Sequence, residues 1–280
     1  NQQKWEDAWK AADTLAKLTP WDIKAVDYSE YLYSRRLKNE VGFFYLRSKI
    51  MDSTNTVINN VATVQYTRRF GKGSITARVN YAGRYTGTGF QYELEGYYTF
   101  AKRVGLYLVG AYSPDGTIFP TTRFGGSLTF FLNKGWSVEL GGRYLKADSG
   151  ALISGLLGVS REFKDMSTGV RGYLTRFTNV ANITNTYYSI LWNSRFYLNY
   201  THADYFSTIV GYGTAPDDFS RNYEISRLLA YNTISVGAGY SKQFHYRTTI
   251  GIFGSWYHQK LAVLSYRNQY DIYATLLRRF

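Results

Sequence analysis

From Lys38 to Phe280 the chain alternates with a period of two, and that rhythm admits strands and little else. Between Ser74 and Tyr81 the residues Ile75, Ala77, Val79 and Tyr81 fall on one face, and Ser74, Thr76, Arg78 and Asn80 on the other. Successive side chains of a strand point to opposite sides, so this is a strand with one apolar face. Phe90, Tyr92, Leu94, Tyr98 and Phe100 oppose Gln91, Glu93 and Glu95; Trp136, Val138, Leu140 and Tyr144 oppose Glu139 and Arg143. The last stretch repeats the pattern, with Tyr270, Ile272, Ala274, Leu276 and Phe280 on one face and only Arg278 interrupting it. One such strand also fits the edge of a soluble sheet. The repetition decides: the chain divides into about 14 segments (range 12–16), each near the ~9–11 residues of a membrane-crossing strand.

No run approaches the ~18 apolar residues of a membrane helix, and mean hydropathy is −0.31. Backbone polar groups within lipid need partners, so a chain that crosses without helices must close its sheet. The prediction is all-β: a transmembrane antiparallel up-and-down β-barrel with a short N-terminal α-helical segment. The 28 Tyr, 17 Phe and 6 Trp suit girdles at the two water–lipid boundaries. The absence of Cys suits an oxidising envelope compartment. Net charge is +13, yet the cations do not cluster as a nucleic-acid patch would, and no nucleic-acid partner is expected. Many fall where tight turns are predicted, at Arg68, Arg69, Lys72, Lys102, Arg103, Lys134, Arg161, Lys164, Lys242 and Arg247. There they face headgroups or solvent. No signal peptide stands at Asn1, which implies one already removed or a longer chain upstream.

Tight turns are predicted after strands 2, 4, 6, 8 and 12, and longer loops after strands 1, 3, 5, 7, 9, 11 and 13. Barrels carry short turns on the periplasmic side, so both termini are expected there. Residues 1–37 form a separate segment before a barrel of residues 38–280. Trp5, Ala8, Trp9, Ala12, Leu15, Ala16 and Leu18 have helical spacing, Thr19-Pro20 breaks it, and Ile23, Ala25, Val26, Tyr28, Tyr31 and Leu32 resume it. Such a pair resembles the last piece of a tetratricopeptide repeat, or is a plain amphipathic hairpin that packs on the barrel or plugs it. Its apolar face needs a partner, and Trp5, Trp9 and Trp21 are the candidates to dock a periplasmic or outer-membrane protein.

Particular segments resemble the YaiO family of outer-membrane barrels: Gly73 to Arg84, Tyr92 to Tyr97, Tyr112 to Asp115 with Phe119-Pro120, Gly135-Trp136 with Gly142 to Tyr144, and Pro216 to Asp218. The resemblance implies a Gram-negative outer membrane, lipids and lipopolysaccharide around the wall, and delivery by the barrel assembly machinery, with Phe280 as the assembly signal. Such signals usually carry a second aromatic two residues earlier, where this chain has Arg278, which at the membrane edge can snorkel. The family often follows tetratricopeptide repeats. That arrangement is similar to exopolysaccharide export proteins, whose repeats recruit periplasmic enzymes.

Facing the bore, Arg78, Glu93, Glu95, Glu139, Arg143 and Arg171 are the candidate lining residues, with Arg78 set opposite Glu93 or Glu95. Charges there are either paired or line water. Tyr97, Tyr107 and Tyr173 share that face, where they pack or stack on sugar rings. His202 and His245 are expected in periplasmic turns. His258 near Ser255 and Ser265 raises a hydrolase or acyltransferase dyad. Asp217-Asp218 with Asp115 or Asp148 would suit loop solvation or a cation. No catalytic residue, no metal centre and no cofactor is assigned, and an enzyme is not expected. The leading expectation is a porin-like role in envelope transport or assembly, with polysaccharide export foremost. A non-conducting accessory barrel of a larger complex is second and a lipid-modifying enzyme third.

Overall fold

The computed structural model describes residues 2–52, 55–199, 202–213, 233–262 and 265–280. Among the described residues two helices, α1 (Gln2–Leu18) and α2 (Ile23–Arg36), precede fourteen strands. These are β1 (Asn39–Met51), β2 (Thr56–Phe70), β3 (Gly73–Arg84), β4 (Gly87–Ala101), β5 (Val104–Tyr112), β6 (Thr122–Phe131) and β7 (Trp136–Ala147). They continue as β8 (Gly150–Glu162), β9 (Met166–Asn179), β10 (Thr184–Tyr197), β11 (Tyr205–Tyr212), β12 (Thr233–Phe244), β13 (Thr248–Ala262) and β14 (Ser265–Arg279). Every strand pairs antiparallel with its sequence neighbours, and β1 pairs with β14, so the sheet is a closed up-and-down barrel.

The period of two decides which face goes where. On β2, Asn59, Val61, Thr63, Gln65 and Thr67 are buried while Ile58, Val64 and Tyr66 are exposed. Nothing but the barrel interior can cover the buried face, so those side chains point inward. The outer wall is apolar, as lipid requires. Aliphatic residues such as Leu94, Leu140, Leu174, Ile252 and Ile272 form its middle. Tyr92, Tyr112, Tyr188 and Tyr270 lie towards one end, and Phe100, Trp136, Phe244 and Phe280 towards the other. Arg161 lies over the rings of Trp136, at 5.0 Å, and Phe163, at 4.5 Å, which holds a cation at that boundary.

One rim carries both ends of the barrel. Asn39 and Phe280 exchange backbone hydrogen bonds of 3.2 and 2.9 Å. We call this the terminal rim and the other the loop rim. The strands run longer than predicted, up to 15 residues in β2, β4, β13 and β14, because the wall continues past the hydrocarbon at both ends. Arg68, Arg69, Arg161 and Lys242 accordingly lie in strands, not in the turns where they were expected. The predicted alternation of connections is also corrected. Residues 113–121 and 213–232 are long, but residues 85–86 and 148–149 join their strands as tightly as any turn, while residues 198–204 make a longer link on the terminal rim.

The helices form an antiparallel hairpin. Asp22 caps α2, its Oδ1 accepting from the amides of Lys24 and Ala25 at 3.0 and 3.4 Å, which satisfies donors left open at a helix start. Arg36 makes a two-toothed ion pair with Glu6 at 2.6 and 2.8 Å and lies 4.0 Å over Trp9, whose ring also meets Tyr33. The hairpin sits on the terminal rim through the β12–β13 turn. Tyr246 donates to Asp27 at 2.6 Å and packs edge-on against Tyr31, and Arg247 lies 4.9 Å over Tyr33.

Candidate functional site

The inner wall is the candidate site. Its charges form a lattice set by strand register. Arg78 stands opposite Glu93 and diagonal to Glu95. One guanidinium nitrogen reaches both, at 2.5 and 2.6 Å, while Nε donates to Gln65 at 2.9 Å. Two further pairs skip a strand. Ala111 lies between Glu93 and Arg123, and Gly158 between Glu139 and Arg171. Each small residue leaves room for the arginine to cross it, to 3.4 Å and 3.0 Å respectively. Glu139 also accepts from Ser127 at 2.7 Å. Arg143 donates to the carbonyls of Gly126 and Gly142 and lies 5.6 Å over the Tyr107 ring, whose hydroxyl reaches Glu95 at 3.4 Å. The six charged residues singled out in the sequence thus face the interior, where Arg78 pairs with Glu93 and Glu95, and Arg171 with Glu139.

Gln65, Arg123 and Glu40 also belong to this wall, though no sequence motif marks them. Glu40, buried at the terminal rim, accepts from Arg69 at 2.8 Å and Arg279 at 3.0 Å. Its signal is present, since Glu40 shares a face with Gly42 and Phe44 and Arg69 shares one with Gln65 and Thr67. A polar ladder continues towards the seam, where Arg267 donates to Gln259, Gln259 to Gln269, and Gln269 to Asp271.

The bore is not uniformly polar. The connection 113–121 folds inward at the loop rim. Ile118 and Phe119, each 1% exposed, pack with the inward-facing Leu46, Val61 and Ala82, and Tyr273 lies against them. Ser113 pins the loop by donating to the carbonyl of Phe90 at 2.7 Å. The Asp115 carboxylate accepts from the Thr117 hydroxyl at 2.6 Å and amide at 2.9 Å. These bonds stabilise its charged form and hold its pKa below the ordinary carboxylate value. Open space remains elsewhere. A chamber of about 550 Å³ lies beside β6–β10, where Gly158, Ser160, Ser167 and Gly169 keep the wall thin, and one of about 400 Å³ lies along β11–β14.

The other expected residues are placed as follows. Tyr97, Tyr107 and Tyr173 lie on inward-facing positions. Tyr173 is buried against Leu156 and Leu191. Trp5 lines a cleft at the terminal rim, Trp9 is taken up within the hairpin, and Trp21 is 77% exposed. Phe280 points outward. His202 stacks on Tyr197 and His245 lies in the β12–β13 turn, both at the terminal rim. His258 stacks between Trp256 and Tyr266 and meets Asn268 at 2.9 Å, so it belongs to the aromatic girdle. Ser255 sits on an inward-facing position and donates to Tyr257. A nucleophile–base pair of Ser255 and His258 is therefore excluded, because three residues along a strand put them on opposite faces. Asp217 and Asp218 lie outside the described residues. Among the described residues no three acidic or histidine side chains gather to hold a metal.

Comparison with solved structures gives the same architecture at low identity. A CymD monoaromatic hydrocarbon channel superposes with a TM-score of 0.56 at 11% identity, covering 90% of this chain and 91% of that one. A bacterial polysaccharide outer membrane secretin gives 0.54 at 10% identity, covering 87% and 98%. The Ralstonia pickettii toluene transporter TbuX gives 0.50 at 8% identity, covering 87% and 90%. These likenesses show the fold, that of bacterial outer-membrane barrels, and not a cargo. No curated protein matches the chain. Residues 38–218 match the YaiO membrane beta barrel domain, and the chain belongs to that family of outer-membrane barrels.

Proposed function

We propose that this barrel is a conduit in envelope transport, with a polysaccharide as its cargo and the terminal rim turned to the periplasm. The observation that carries the reading is the inner wall. It presents charged, amide and hydroxyl side chains from Glu40 and Arg279 at one rim to Arg267 and Asn59 at the other, and a barrel that only needed to be filled could do so with apolar side chains. The helical hairpin on the terminal rim supports the orientation, since a soluble helical segment belongs beside a periplasmic partner. Steady single-channel steps in a planar bilayer, and entry of neutral oligosaccharide into proteoliposomes, are the expected results for the full chain. Silence in both, with correctly folded barrel, would overturn the reading.

A second reading is a non-conducting accessory barrel whose hairpin docks a partner. It is favoured by the inward-folded loop at Ile118 and Phe119 and by the apolar tip of the hairpin, where Leu18, Trp21 and Ile23 are 69%, 77% and 82% exposed. Under it, the silent barrel would capture a periplasmic protein and lose it on Trp21→Ala.

A further inference from the structure

At the terminal rim the hairpin and the barrel mouth enclose a cleft of about 730 Å³, within the range of ligand sites. Six cations line it: Arg35, Arg36, Lys38, Arg69, Lys72 and Arg279. They come from four places, the end of α2, the link from α2 to β1, the inner wall and the β2–β3 turn, and only the fold brings them together. Two carboxylates answer them. Glu6 pairs with Arg36, and Glu40 is shared by Arg69 and Arg279. Arg69 and Arg279 meet on the same Glu40 oxygen, at 2.8 and 3.0 Å, so these cations are close enough to act as one field. Crowded guanidinium and ammonium groups that repel one another are stabilised by an anion placed among them. The cleft also presents three half-exposed aromatic rings, Trp5 at 40%, Tyr97 at 37% and Phe70 at 41%.

We propose that this cleft binds an acidic glycan, a chain bearing carboxylates on its sugar rings. Guanidinium groups match carboxylates in a fixed two-toothed geometry, and an aromatic face matches the C–H face of a pyranose. A phospholipid headgroup would satisfy the cations as well. The glycan is favoured because Arg69, Ser74, Tyr97 and Arg279 line the cleft from inward-facing positions, so it opens into the bore rather than onto the lipid-covered wall. The proposal rests on the conduit reading and narrows its cargo to a polyanion, received where the bore begins.

The test is calorimetric titration of the full chain in neutral detergent with a short oligouronate, a neutral oligosaccharide of equal length and a short-chain phosphatidylglycerol. The variant is Arg35→Gln/Lys38→Gln/Lys72→Gln, which leaves the Glu6 and Glu40 ion pairs intact. The oligouronate is expected to bind about tenfold or more tighter than the neutral chain, to weaken with added salt, and to lose about tenfold in the variant, as removal of a few solvent-facing charge contacts predicts. Lys38→Arg/Lys72→Arg should keep the affinity, which separates lost charge from a damaged fold. Equal binding of both glycans, indifferent to the substitutions, would overturn the proposal and leave the conduit standing. Binding of the lipid alone would overturn it and make the cleft a headgroup site. If neither glycan binds but neutral oligosaccharide still enters proteoliposomes, only the cleft assignment falls; without that entry the conduit falls too.

Discussion

Arg78 neutralises two carboxylates at once, and its loss would leave them side by side on the inner face of β4, with Arg123 still beside Glu93. Arg78→Met should therefore lower stability by about 1–3 kcal/mol, the cost of stranding partly buried charge. It would be read as loss of the compact, heat-resistant band on a gel at a lower temperature. Adding Glu93→Gln and Glu95→Gln should return most of that loss, because the three act as one unit; a strictly additive triple variant would show that they do not. This group was legible in the sequence. A period of two puts Arg78 on the face opposite to Val79, and adjacent strands set it against Glu93. The reach of Arg123 to Glu93 and of Arg171 to Glu139 was not legible. Both cross an intervening strand over Ala111 or Gly158, so they depend on the register of two ladders together, which no local pattern encodes.

Among the elements, the loop at residues 113–121 departs most from a plain connection. Burial of Ile118 and Phe119 contributes about 3–6 kcal/mol at ordinary values for large apolar side chains. A charge placed there has no partner in the apolar cluster, so Ile118→Asp should expel the loop. Raised single-channel conductance and new proteolysis between Ser113 and Thr121 are expected, with the barrel otherwise folded. Unchanged conductance and protection would mean that the loop does not obstruct the bore. The same loop should respond to acid in a defined direction. Asp115 has a lowered pKa in the closed loop, so its contribution is present above the ordinary carboxylate pKa of about 4 and is lost as pH falls through the lowered value. Proteolysis or conductance should thus stay flat from neutral pH down to about 5 and rise only in stronger acid, and Asp115→Asn should abolish the rise. Strand positions could be read from the alternation, but this fold could not. Ile118-Phe119-Pro120 is visible as an apolar trio within a polar connection, yet what it packs against comes from β1, β2, β3 and β14.

As a whole molecule the barrel follows from pattern alone. Its strand number, its inner and outer faces and its common rim for both ends came from periodicity and composition. The hairpin's seat and the charged cleft did not, because they join residues from opposite ends of the chain. Phe280 separates two roles that act at this scale. Its backbone closes the wall with Asn39, while its ring points outward. Phe280→Ala keeps the backbone bonds, so refolding of the purified chain into detergent should be nearly unchanged. Assembly in cells should fall severalfold if the ring is read by the assembly machinery; equal yields would assign the ring to packing only. The seam itself, running from Glu40 with Arg279 to Met51 with Asn268, has a consequence in time. Its two strands flank the entire sheet, so no rung of it can form early without closing a loop as long as the barrel. Until then the growing sheet has two bare edges, each able to pair with a stranger. The last ladder to form is thus the one that ends the chain's exposure to aggregation, and the rate of closing it governs how long the two edges stay bare.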